Sequence, residues 1–179
     1  MKSNLKVALS MVLFCALSMP AQATPQVIKT HLADPELVGE ARLKVMFWNV
    51  FDASLYAESG HYQENQPFAL SLTYLRSLEG KKIVDKSMEE IRRQSPDTSD
   101  GQLVRWEQKL LEIIPDVSKG TSITGVRTPE GHTRFYFGNE PIGSVQDSTF
   151  THAFFSIWLS SEASDPKFRH KLLGGNKDI

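Results

Sequence analysis

Residues 68–80 read FALSLTYLRSLEG, and this stretch decides the fold class. Phe68, Leu70, Leu72 and Tyr74 alternate with Ala69, Ser71 and Thr73, the period-2 pattern of a half-buried strand. The alternation stops around Arg76-Ser77-Leu78-Glu79-Gly80, and the apolar spacing then becomes helical. Ser87-Met88-Glu89-Glu90 has the spacing of a capping box and predicts a helix start. A polar break over 95–101 separates it from Leu103, Trp106, Leu110 and Ile113, whose 3-4-3 spacing predicts a second helix ending before Pro115.

Upstream, residues 37–58 are rich in Val, Phe, Trp and Leu and predict a long or bent strand pair. Within residues 45–56, VMFWNVFDASLY, alternation places Phe47, Phe51, Ala53 and Leu55 on one face. Trp48, Asp52, Ser54 and Tyr56 take the other. The mostly apolar face is expected to look toward the helices, with Asp52 pointing away. Downstream, residues 121–127 and 133–137 are joined by Thr128-Pro129-Glu130-Gly131, a good hairpin turn. A short run over 142–145 follows. Phe150, Ala153, Phe154, Ile157 and Trp158 share one face of a third helix over 148–159, on which His152 faces solvent. Asp165-Pro166, a cap followed by proline, starts a last helix that ends at Leu173. Strands, two helices, a hairpin and two more helices make an α+β fold: a large antiparallel sheet with helices packed on one face, its other face partly covered.

The first residues, MKSNLKVALSMVLFCALSMPAQATPQ, combine Lys2 and Lys6, an apolar run over 7–17 and the small-x-small pattern Ala21-Gln22-Ala23. That is the pattern of a cleaved secretory signal over 1–23. A flexible leader over 24–36, a domain over 37–175 and a tail over 176–179 complete the expected organisation. Cys15, the chain's one cysteine, would leave with the signal, so disulfides and thiolate chemistry are not expected. A cysteine-free exported chain suits a periplasm. Loss of Lys2 and Lys6 leaves 18 basic against 21 acidic residues, a formal charge of −3 with no basic stripe, so nucleic acid is not an expected partner. No second long apolar segment predicts membrane insertion after signal cleavage, and oligomeric state is not legible.

The five histidines, His31, His61, His132, His152 and His170, include no pair at chelate spacing, so no metal or other cofactor is expected. G-x-S-x-G is absent, and Glu89 and Glu90 are helical neighbours whose side chains diverge. Arg76 falls on the same side as Phe68, Leu70, Leu72 and Tyr74, at the strand's end. An arginine there can grip a carboxylate whose tail lies along the apolar residues.

In order along the chain, NVFDASLYAE, FALSLTYLRSLEG, IPDVSKGTSITGV, PEGHTRFYFGNEPIGSV, FFSIWLS and DPKFRHKLLG together resemble the chalcone isomerase-like family. The likeness is to its bacterial, exported branch and spans roughly residues 39–174. It implies an open-faced sandwich with a cleft between sheet and helices. The family's plant isomerases cyclise chalcones with polar groups in that cleft, while plastid relatives clamp a fatty-acid carboxylate with an arginine and a tyrosine. On the resemblance, the isomerase positions fall here on Phe51, Ile83, Glu90 and Ile142, three of them apolar. Hydrocarbon cannot supply the fixed donors an enolate-like transition state needs, so isomerase activity is not expected and no catalytic residue is assigned. The fatty-acid tyrosine also falls on Phe51, and Arg42 is the arginine nearest to the other clamp position. From Arg42 to Phe51 is an odd step, which puts them on opposite strand faces unless a bulge intervenes.

The expectation is therefore a protein that binds a hydrophobic or fatty-acid-like molecule in the cleft, lined by Arg76, Tyr74, Phe51, Arg42, Ile83 and Ile142. An enzyme of the isomerase or another class using the same cleft, and a structural protein whose cleft is filled by its own side chains, are the alternatives. An open apolar cleft separates the first reading from the last.

Overall fold

The computed structural model describes residues 25–175. The signal expected over 1–23 and the tail over 176–179 lie outside the described residues. The alternation at residues 68–74 is realised as β3 (Phe68–Tyr74), held between β2 (Trp48–Glu58) and β4 (Ser122–Arg127). With β1 (Pro35–Val45), β5 (Thr133–Phe137) and β6 (Glu140–Val145), the strands form one antiparallel sheet in chain order. Register pairs Phe51 with Tyr74, Ala53 with Leu72 and Leu55 with Leu70, so cross-strand neighbours present the same apolar face. That face is covered by α2 (Gly80–Gln94), α3 (Asp100–Ile113), α4 (Ser148–Leu159) and α5 (Pro166–Leu172). The architecture is thus the expected α+β one. Among the described residues no helix is long and apolar enough to cross a membrane.

Two close approaches set how the helices sit. The Gly80 amide donates to Asp116 Oδ1 (2.8 Å), and a Cβ at Gly80 would collide with the backbone of Ile114 and Pro115. The start of α2 therefore docks on the segment leaving α3. This overturns the capping-box reading at Ser87: the helix begins seven residues earlier, and the Ser87 hydroxyl donates to the Ile83 carbonyl inside it (2.8 Å). At Gly39, where β1 shifts register against β2, a side chain would strike the carbonyls of Lys171 and Leu172 at the end of α5. Asp147 caps α4, accepting from the Thr149 and Phe150 amides and from Trp106 Nε1 (2.9 Å), which ties α3 to α4.

Residues 25–36, within the segment 24–36 expected as a flexible leader, belong to the fold. The one-turn α1 (Gln26–Lys29) lays Val27, Ile28 and Leu32 on Tyr56, Ala69, Val126 and Tyr136, on the sheet face opposite the helices. His31 Nε2 and the Tyr136 hydroxyl share a hydrogen bond of 2.6 Å, and both Glu58 carboxylate oxygens accept from the Ala33 and Asp34 amides (2.8 Å each). Three apolar side chains in a short segment without period suffice, because the sheet supplies the other half of the contact. Ile28 is fully buried, so Ile28→Ala should cost about 2–4 kcal/mol in urea unfolding. A loss near zero would return the segment to a leader.

Glu90 on α2 fastens the helical layer. It accepts from the Ser164 hydroxyl (2.7 Å) in the α4–α5 connection and from Arg93 (2.8 Å), with Lys86 at 3.3 Å. Burial alone would raise its carboxyl, but the bonds from Ser164, Arg93 and Lys86 outweigh burial and hold it below its usual value. A depressed carboxyl contributes stability that is present above the unfolded-state value and is lost as pH falls through the folded one. Glu90→Gln should therefore be less stable than the parent at neutral pH and should show a shallower loss on acidification. Parallel acid limbs in the two stability profiles would show that Glu90 carries no such contribution.

Candidate ligand cavity

The helical layer does not fill the space above the sheet. A cavity of about 550 Å³ lies between them, inside the roughly 300–1,000 Å³ range of small-molecule sites. Its floor comes from Leu43, Phe51, Leu70, Leu72, Tyr74 and Ile123, all on the inner face of neighbouring strands. Ile83 and Val84 of α2, Phe154, Phe155 and Trp158 of α4, and Phe168 of α5 roof it. Gly125 leaves room on the floor for the Phe155 ring. Apart from Tyr74, the charged and hydroxyl-bearing lining residues are Lys82, Lys86, Ser87 and Glu90 on α2 and Ser164 and Asp165 in the segment leading into α5. Lys82 is paired with Glu79 (2.7 Å), Lys86 with Glu89 (2.9 Å) and Glu90 with Arg93 (2.8 Å).

Inside, the polar group is the Tyr74 hydroxyl. Tyr74 is 2 % exposed, and its hydroxyl has no hydrogen-bond partner among the described residues. Burial pushes its ionisation far above the usual phenol range, so it is a neutral donor and acceptor at any physiological pH. Its ring meets Phe51 edge-on, with centroids 5.9 Å apart, and Phe51 in turn meets Phe168 at 6.1 Å. No buried side-chain nitrogen or oxygen among the described residues is left without a partner, so this hydroxyl opens on the cavity, where a ligand oxygen can bond to it.

Three of the expected site residues, Phe51, Tyr74 and Ile83, therefore meet at the cavity, joined by Glu90 at its edge. Three do not. Arg42 pairs bidentately with Asp52 (2.6 and 2.8 Å) on the outer face. Leu43 pairs directly with Phe51, and the β1 register shift falls beyond Leu43, so no bulge carries Arg42 across. Arg76 is exposed, its guanidinium 4.9 Å over the Trp48 ring. The strand ends at Tyr74, and Leu75 bonds to the Val50 carbonyl as the chain turns toward α2, so the alternation does not extend to residue 76. Ile142 sits on the edge strand β6 beside a separate, mixed-polarity hollow of about 490 Å³ that includes His132 and Arg134. The helical roof was legible in part from the spacing of Phe154, Ile157 and Trp158, whereas Leu43, Ile114 and Phe168 become lining only through packing of distant segments.

Comparison with known proteins bears on this geometry. The description "Chalcone isomerase-like" belongs to the family whose profile matches residues 21–174. A Haemophilus influenzae chain described as an uncharacterized protein is 28 % identical over 141 residues, which cover 78 % of this chain and 68 % of that one. The crystal structure of an Arabidopsis thaliana fatty-acid binding protein superposes with a TM-score of 0.60 at 11 % identity, covering 79 % of this chain and 88 % of that chain. At that identity the likeness is one of fold. With the match running through every strand and helix of the described structure, the chain belongs to the chalcone isomerase-like family.

Proposed function

We propose that this protein binds a hydrophobic, acyl-chain-like molecule in the cavity between sheet and helices, without isomerase activity, and that it works in the periplasm after cleavage of its signal. The observation that carries the reading is an open, apolar cavity with one unpartnered hydroxyl, Tyr74, on its wall. A cleft packed by its own side chains would have favoured the structural alternative. The lysines on the cavity wall, Lys82 and Lys86, are held by Glu79 and Glu89, and on the family resemblance Phe51 and Ile83 put hydrocarbon where the isomerases hold polar groups. The fold neighbour's description as a fatty-acid binding protein supports the same ligand class. The basic, apolar and small-x-small order of residues 1–23 supports export.

In this arrangement the alkyl chain lies against Leu70, Leu72 and Ile123, and an oxygen of the ligand completes the hydrogen bonding of Tyr74. Native mass spectrometry of protein purified from cells, with lipid extraction, should find a co-purified acyl compound. Ile83→Trp, which fills the cavity, should abolish binding of a fluorescent fatty-acid probe. Tyr74→Phe should weaken binding about 2–10-fold, the range of one neutral hydrogen bond. Absence of any acyl compound together with probe binding unchanged in Ile83→Trp would overturn the proposal. Chalcone cyclisation should proceed at the solvent rate, and a rate well above it would show that the apolar substitutions do not remove the chemistry.

A further inference from the structure

The hairpin joining β1 to β2 ends in side chains that the fold does not use. Val45, Met46, Phe47 and Trp48 are 52, 85, 95 and 62 % exposed. Four of the seven large hydrophobic residues exposed in the described structure are thus consecutive, at one protruding tip. The turn is also made of the wrong residues for its backbone. Met46 has φ 54°, in the left-handed region that hairpin turns ordinarily give to Gly, Asn or Asp. Gly or Asn would relieve that strain and improve solubility, so the tip retains Met and Phe against both local preferences.

Cations flank the tip. Lys44 adjoins it on β1, Arg76 stacks on Trp48, and Lys119 lies in the loop whose Gly120 amide bonds to the Tyr74 carbonyl at the same end of the sheet. None of the three forms an ion pair with a carboxylate among the described residues, although the chain as a whole carries a formal charge of −1. Residues 43–50 contain no acidic side chain. We propose that this tip docks on an anionic lipid bilayer, with Met46 and Phe47 entering the acyl boundary and Trp48 at headgroup level. Lys44, Arg76 and Lys119 face the phosphates. Aromatic and aliphatic side chains ringed by unpaired basic residues suit that interface. Four side chains on a narrow hairpin offer far less than the roughly 800 Å² per partner that a stable protein interface buries. Val45 belongs both to the tip and to the cavity lining, so the docked tip sets one edge of the cavity against the membrane.

The docking rests on the tip alone and holds whether or not the cavity takes a ligand. The test uses the full-length chain with vesicles of phosphatidylcholine, alone or mixed with phosphatidylglycerol, carrying brominated acyl chains. Trp48 emission is isolated as the difference between the chain and its Trp48→Phe variant. With the anionic vesicles that emission should move to the blue and be quenched, and the neutral vesicles should give much less of either change. Phe47→Ser, at a position too exposed to affect folding, should weaken the quenching about tenfold or more. Arg76→Gln should weaken it and lower its salt dependence. Unquenched Trp48 emission on anionic vesicles, or equal quenching in Phe47→Ser, would overturn the proposal. So would a dimer that dissociates in Phe47→Ser, which would assign the tip to a second copy of the chain.

Discussion

The structure depends on the in-register antiparallel pairing of β2 with β3. Because side chains alternate strictly along a strand, aligning Phe51 with Tyr74 and Leu55 with Leu70 commits every second residue of both strands to one layer. The helices then have a single apolar surface to cover. A slip of one residue in β2 would exchange Phe51 for Asp52 and Ala53 for Ser54 on that surface, and both the core and the cavity floor would be lost. The outer face is fixed by the same pairing. It receives Tyr56 and Ala69 side by side, the two residues on which α1 and Leu32 settle.

What could be read from the chain follows from which constraints are local. Alternation at residues 68–74 and the 3-4-3 spacing of Leu103, Trp106, Leu110 and Ile113 report their own surroundings, and all four of those helical residues are buried. Burial of Val27, Ile28 and Leu32 depends instead on a partner surface more than twenty residues away, which no local period records. Residues 45–48 mislead for a different reason. Apolar composition reads as core, and with Met and Phe in the turn there is no Gly, Asn or Asp to mark a hairpin. Alternation therefore predicts Phe47 on the inner face with Phe51, although it sits at the exposed tip. At the site, position along the strands was legible for Phe51 and Tyr74. Arg42 and Phe51 lie on opposite faces, but not by the parity of one strand: a turn and a register shift stand between them, and Arg42 pairs across the strands with Asp52. Arg76 was misplaced because parity was carried one step past the end of β3.

The cavity has an energetic consequence for the whole domain. Hollow volume in a core forfeits dispersion contacts. Natural cores rarely keep such a space without use, since larger side chains at Ile83 or Leu72 would close it. A molecule bound there would restore those contacts and stabilise the folded state by mass action. The helical layer is fastened around the hollow by polar contacts at its periphery, from Ser164 to Glu90 and from Trp106 to Asp147.

Those peripheral contacts also bear on how a molecule could enter. The side of α2 that faces Ser164 is latched by a carboxylate holding three donors, and opening it would break several charge-assisted bonds together. At the β1–β2 end the cavity is bounded by Val45, Val50 and Leu78, apolar side chains joined by no comparable network. Separating apolar side chains costs little when lipid takes the place of water against them. An apolar molecule entering beside the hairpin tip would break fewer polar contacts, since the positive-φ Met46 backbone and the exposed Phe47 ring belong to the part of the fold least committed to its own core.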